Sequence, residues 1–177
     1  RRAGSLEAVA RSERYRLMAE VAQEMGVERI ALGHHADDQV ETMVMRFLSG
    51  AGPQGMAGIP PVRGRYIRPL FEVSREEILN YAGKAGLRWA EDSSNQGLDF
   101  FRNRIRHSLL PYLIREYQPQ LKERLLEAAR VFREWEELLI IATESILEEW
   151  EISTANSRFT LPADLWLGLS PAIRDRK

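Results

Sequence analysis

Ten consecutive residues, Gly33-His34-His35-Ala36-Asp37-Asp38-Gln39-Val40-Glu41-Thr42, hold more groups able to do chemistry than any other stretch of the 177-residue chain. Wound as an α-helix at 100° per residue, they place His34, Asp38, Glu41 and Met45 at roughly 0°, 40°, 340° and 20° around the axis. An imidazole and two carboxylates then share one face and look into a cleft, while Val40, Met43, Val44 and Phe47 supply an apolar face to bury. Asp37 and Asp38 fall in the first turn, where the helix dipole favours negative charge and either can cap free N–H groups. Capping alone leaves His34 and Glu41 unexplained.

A second concentration is Glu91-Asp92-Ser93-Ser94-Asn95 followed by Arg102-Asn103-Arg104-Ile105-Arg106-His107. No acidic residue occurs from Phe100 to Arg115, so these cations are not neutralised locally. Arg102 and Arg106 share one helical face and Ile105 and Leu109 another. In isolation such a tract reads as a solvated basic helix. The interval between Glu41 and Glu72 is also free of acids and carries Arg46, Arg63, Arg65 and Arg68, a balance that suits a polyanionic substrate.

The elements that must position these groups follow from local pattern. Val27–Leu32 reads as a short apolar strand running into Gly33, so the central helix starts at a strand's carboxyl end, where open α/β sheets bind ligands. Upstream, Ser5 caps a helix reaching Met25, with Ala10, Leu17, Val21 and Met25 near one face, Gly26 closing it, and Arg11 and Arg14 one turn apart. The segment Ser49–Gly58 has glycines at 50, 52 and 55 in the spacing of the dinucleotide fingerprint. It follows a helix rather than a strand, so it reads instead as a flexible loop beside a substrate. Tyr66-Ile67-Arg68 is a strand stopped by Pro69. Ser74 to Glu77 is a capping box opening a helix that ends at Gly86, after which Leu87–Trp89 returns as a strand.

Beyond Pro111 the character changes. Leu121, Leu125, Ala128, Phe132, Trp135, Leu139, Ala142, Ile146 and Trp150 recur at spacings of four and three, the mark of one long helix of about 119–151 packing a seam, with Pro119 in its first turn. A connector at 152–157, an extended piece at 158–161 and a helix opening at Pro171 complete the reading. The expected organisation is α/β over 1–117, then the start of a helical domain over 118–177.

Composition bounds the rest. Hydrophobic residues make up 44% of the chain, the net charge is −1, and cysteine is absent, which excludes disulfides, zinc–thiolate sites and thiol nucleophiles. Lysine occurs only at 84, 122 and 177, so nearly every basic residue is an arginine, suited to planar contacts with phosphate or carboxylate. No run approaches a membrane span and no signal peptide opens the chain, so an intracellular, cytoplasmic protein is expected. Arg1–Gly4 reads as a cut end rather than a natural start.

The run from Gly33 to Thr42, the glycine segment after it, Ile67-Arg68-Pro69-Leu70, Glu91–Asn95 and Arg102–His107 resemble, in that order and spacing, the tRNA(Ile)-lysidine synthetase family. Ser5-Leu6-Glu7-Ala8 with Arg11 and Arg14-Tyr15 is similar to that family's helix upstream of the motif. The resemblance spans roughly residues 5–135 and implies an N-type ATP pyrophosphatase, with residues 1–117 the C-terminal part of a Rossmann-like, adenine nucleotide alpha hydrolase-like parallel-sheet domain. The implied enzyme is a ligase forming a carbon–nitrogen bond. It uses ATP and Mg²⁺ to adenylate O2 of the wobble cytidine in an isoleucine tRNA with a CAU anticodon, after which free lysine displaces AMP to give lysidine.

Carried onto this chain, the resemblance implies a catalytic set of His34, Asp38, Glu41 and Arg106. It implies ATP or substrate contacts at Arg14, His35, Asp37, Gly50, Gly52, Asp92 and Asn95, tRNA contacts at Arg63, Arg65, Arg102, Arg104 and Arg115, and Asp38 as a candidate Mg²⁺ ligand. A homodimer is among the assemblies it allows. Which carboxylate meets Mg²⁺ and which meets lysine stays open. One departure stands out: the family's Ser-Gly-Gly-x-Asp-Ser pyrophosphate loop has no counterpart, since the chain contains no Gly-Gly pair. A fragment holding half a site is therefore expected. The rival readings are a related tRNA-thiolating or amidotransferase-type pyrophosphatase, a metal-dependent hydrolase using His34, Asp38 and a distant His107, and a helical tRNA-binding module without chemistry.

Overall fold

The computed structural model describes residues 6–90, 97, 100–149 and 167–171. In chain order the elements are α1 (Leu6–Glu24), β1 (Ile30–Ala31), α2 (Ala36–Leu48), α3 (Pro53–Met56), β2 (Val62–Arg63), β3 (Tyr66–Ile67), α4 (Arg75–Lys84), α5 (Phe101–Arg104), a π-helical turn (Ile105–Leu109), α6 (Leu110–Glu116) and α7 (Leu121–Glu149). The chain forms two compact units, residues 1–42 with 59–110 and residues 43–58 with 111–177.

The first unit is built on a small sheet of order β1-β3-β2. β1 runs parallel to β3, Ile30 opposite Tyr66 and Ala31 opposite Ile67, whereas β2 pairs antiparallel to β3 through a two-residue hairpin loop opened by Gly64 at φ +58°. The sheet is thus α/β but mixed rather than wholly parallel among the described residues. Ala22, Ala36, Val40, Phe71, Ile105 and Leu110 are buried in this unit. In the second unit the buried apolar side chains among the described residues are Met43 and Val44 of α2 and Ala129 of α7.

Three helices end alike. Gly26, Gly50 and Gly86 all have positive φ, and in each case the glycine N–H and the following N–H bond back to carbonyls of the last turn: Gly26 to Gln23 and Val27 to Ala22, Gly50 to Phe47 and Ala51 to Arg46, Gly86 to Gly83 and Leu87 to Ala82. This paired closure satisfies carbonyls that a helix end would leave orphaned. It explains two corrections. The first strand is Ile30–Ala31 and not Val27–Leu32, because the Val27 N–H is still committed to closing α1. Leu87–Trp89 is not a strand, because Leu87 is spent in the same way on α4.

The capping box at Ser74 is present, with the Ser74 side chain accepting from the Glu77 N–H and the Glu77 carboxylate accepting from the Ser74 N–H. On α2, Val40, Met43 and Val44 are buried as expected, but Phe47 is 71% exposed. In α7 most of the expected seam is half-buried. Ala129 is fully enclosed, Trp135 points outward, and Pro119 lies before the helix rather than in its first turn. The expectations for Ser5, Glu91–Asn95, Trp150, residues 152–161 and the helix after Pro171 fall outside the described residues. Among the described residues no helix is long and apolar enough to cross a membrane.

Candidate active site

The parallel pair sets the site. Leu32 N–H donates to the Ile67 carbonyl, so the chain leaves β1 at its carboxyl end and delivers Gly33, His34 and His35 ahead of α2. The helix begins at Ala36, so His34 lies in the loop before α2 and not on its face, contrary to the expected winding. Ala36 N–H is held by the Val73 carbonyl, and the His35 N–H donates to Asp38 Oδ2 at 3.0 Å, one half of a capping box. Asp37 caps a different helix: its Oδ2 accepts from the Arg75 N–H, the first of α4, at 2.7 Å.

Asp38 and Glu41, three residues apart on α2, face Arg102 and Arg106, four apart across α5 and the π turn. Arg102 Nε donates to Glu41 Oε2 at 2.6 Å and its Nη2 to Asp38 Oδ1 at 2.8 Å. Arg106 grips Glu41 with both nitrogens, Nε to Oε1 at 2.5 Å and Nη2 to Oε2 at 2.9 Å. The Glu41 side chain is 3% exposed and that of Asp38 13%. The bond to Glu41, ahead of the burial that opposes it, holds the Arg106 guanidinium above its usual range. Two carboxylates meet two guanidiniums, so the cluster is close to neutral. The solvated basic helix is thereby corrected: Ile105 anchors the turn in the core while Arg102 and Arg106 turn inward. The π turn closes with Leu110 N–H on the Ile105 carbonyl, a winding frequent at functional sites.

Above this cluster opens a cleft of about 380 Å³ whose walls include Arg11, Arg14, Tyr15, His34, Asp38 and Arg102. Burial, reinforced by the cations Arg68, Arg11 and Arg102 and opposed by Asp38, holds the His34 imidazole below its ordinary range and hence neutral near pH 7. His34 Nδ1 is buried and has no partner among the described residues. The His35 imidazole stands 3.6 Å from Asp38 through Nε2 and 3.8 Å from Asp37 through Nδ1, too far for ring hydrogen bonds.

The other expected site residues scatter. Gly50 and Gly52 belong to the second unit, where Arg46 of α2 donates to the Gly55 and Gly58 carbonyls at 2.5 and 2.9 Å and Gln54 and Ala57 bond to α7. The flexible-loop reading is therefore corrected: Gly50 is a helix stop, Gly52 precedes the first turn of α3, and a Cβ on Gly55 would come within 2.6 Å of that of Ala51. Arg63, Arg65, Arg104 and Arg115 are exposed. Asp92 and Asn95 lie outside the described residues. Sequence reasoning missed the inward turn of Arg102 and the burial of Arg68, which donates to the Pro60 carbonyl. The available signal was spacing: carboxylates at i and i+3 on one helix match arginines at i and i+4 on another.

As a resident Mg²⁺ site the residues do not fit. Asp37 is spent on α4, Asp38 on Arg102 and the His35 N–H, and both oxygens of Glu41 on guanidiniums. Among the described residues no group of three His, Asp or Glu is placed to hold a metal, so the hydrolase reading has no third ligand either.

The first unit is thus a mixed α/β unit with an acid–arginine cluster at a strand's carboxyl end. Residues 1–113 match the model of the PP-loop domain, and the chain belongs to that family. It is similar to proteins named tRNA(Ile)-lysidine synthase: 43% identical over 145 residues to that of Geobacter sulfurreducens, covering 81% of this chain and 31% of the relative. Against that of Symbiobacterium thermophilum the identity is 45% over 140 residues, covering 77% of this chain and 29% of the relative. For Bacillus subtilis it is 34% over 174 residues, 96% of this chain and 37% of the relative. The chain thus spans about a third of the length of these relatives.

Proposed function

We propose that the chain is the part of a cytoplasmic tRNA(Ile)-lysidine synthase that carries the histidine, carboxylate and arginine cluster. Residues 1–117 would be the remainder of an adenine nucleotide alpha hydrolase-like catalytic domain, and 118–177 the start of a helical one. The reaction read here has two steps. O2 of the wobble cytidine attacks the α-phosphate of ATP and pyrophosphate leaves; the ε-amine of free lysine then attacks C2, AMP departs with the oxygen, and the amine's proton must be accepted. ATP would arrive with Mg²⁺ as part of the substrate, in keeping with the lack of a fitting resident site.

The observation that carries the reading is the clamp of Arg102 and Arg106 on Glu41 and Asp38 beneath the cleft. It also divides the roles. Asp38 and neutral His34 border the cleft and are the groups to meet lysine or take its proton. Glu41, 3% exposed beneath two guanidiniums and away from the cleft wall, is a positioning residue for Arg102 and Arg106. Arg102 borders the cleft and would stabilise negative charge on the adenylate.

In the full-length protein, Asp38→Asn should lower the saturating rate of lysidine formation by about 10² or more while tRNA affinity changes less than about threefold. A rate within a few-fold of the parent would overturn the assignment.

A further inference from the structure

Resting on that reading, we propose that Arg11, backed by Tyr15, is a stacking platform for an unpaired nucleobase, with Arg14 beside it for the attached phosphate. The Arg11 guanidinium lies 5.5 Å from the centroid of the Tyr15 ring, a cation–π arrangement that holds its plane. Tyr15 is fixed from behind. Tyr66 of β3 meets its ring edge-on at 4.8 Å, and the Tyr66 hydroxyl donates to the Tyr15 carbonyl at 3.2 Å. A chain of contacts therefore runs from the sheet through two aromatic rings to a guanidinium at the cleft wall.

The electrostatics select the ligand. Asp38 and Glu41 are matched by Arg102 and Arg106, and His34 is neutral, so the uncompensated charge along the cleft comes from Arg11 and Arg14. Neither has an acidic partner among the described residues, and both are exposed to solvent. A flat cation on an aromatic backing next to a second cation matches a base joined to a phosphate, because guanidinium planes stack on bases and both arginines attract phosphate. The base has two sources, the target nucleotide of the tRNA or the adenine of AMP, with one recognition chemistry.

Binding of CMP, AMP and ribose 5-phosphate to the 177-residue chain, followed by NMR of the Tyr15 ring and by calorimetry, tests the platform without any turnover. At least one of the two nucleotides should bind about tenfold or more tighter than ribose 5-phosphate. Arg11→Ala should bring that ratio near one, and Arg11→Lys, which keeps charge but loses the plane, should do nearly the same. Arg14→Ala should weaken all three ligands alike. A preference for CMP assigns the platform to the target base and one for AMP to the activating nucleotide.

A ratio near one in the parent chain, a ratio untouched by Arg11→Ala, or no binding of any of the three at millimolar concentration would overturn the proposal. Base-dependent binding together with a full-length protein that makes no lysidine would instead remove the functional reading and leave the platform standing.

Discussion

Glu41 is the most constrained charge in the site, three hydrogen bonds from two guanidiniums on a carboxylate almost sealed from water. A buried pair of this kind adds little over a well-packed apolar pair, but removing one partner strands the other. Glu41→Ala leaves two arginines side by side with Asp38 alone of the two carboxylates to share. The chain should lose on the order of 3 kcal/mol in urea unfolding with an unchanged slope, and a loss below about 1 kcal/mol would mean that the arginines reach solvent unaided. At this scale the sequence was half legible. Asp38 and Glu41 stand out by type and Arg106 entered through the family resemblance, but the pairs the carboxylates make with Arg102 and Arg106 span 61 to 65 residues, and no local periodicity reports contacts at that separation. Hence Asp38 read as an open cleft carboxylate and Arg102 as an outward cation.

Helix ends carried the most readable information. The closures at Gly26 and Gly86 and the box at Ser74 follow from glycine's access to positive φ and from a serine three residues before a glutamate. The same logic applied to Gly50 identifies a helix stop, yet its company of further glycines suggested a ligand loop. The site's framework also depends on a cap between elements: Asp37 on α2 holds the first N–H of α4. Asp37→Ala should cost about 1 kcal/mol and raise hydrogen exchange at the Arg75 amide about fivefold. Exchange there at the parental rate would show that water replaces the carboxylate without loss. Of the strands, Tyr66–Ile67 was legible from the proline that stops it, but the bounds of the first and the existence of Val62–Arg63 were not, because pieces of two residues carry no alternation to detect.

For the molecule as a whole, the chain's own residues offer guanidiniums, a neutral imidazole and a carboxylate, but no Gly-Gly turn with which to cradle the β and γ phosphates of ATP. Given ATP, Mg²⁺, lysine and tRNA(Ile), the 177-residue chain should release no pyrophosphate above background, since in-line attack needs those phosphates held. Robust release would place the clamp within these residues. The α/β class and the long α7 were legible at this scale because both rest on patterns of a dozen residues or more; the division into two units, with α2 contributing to each, was not. The π turn at Ile105–Leu109 gives the chain a margin in length. Such a turn is an α-helix with one residue to spare, absorbed so that the arginines and Leu110, the buried residue that ends the first unit, keep their phase. Deleting Ser108 should let the segment close as an ordinary α-helix with both flanks in place. A reading frame shorter by one codon here should therefore still hold the clamp.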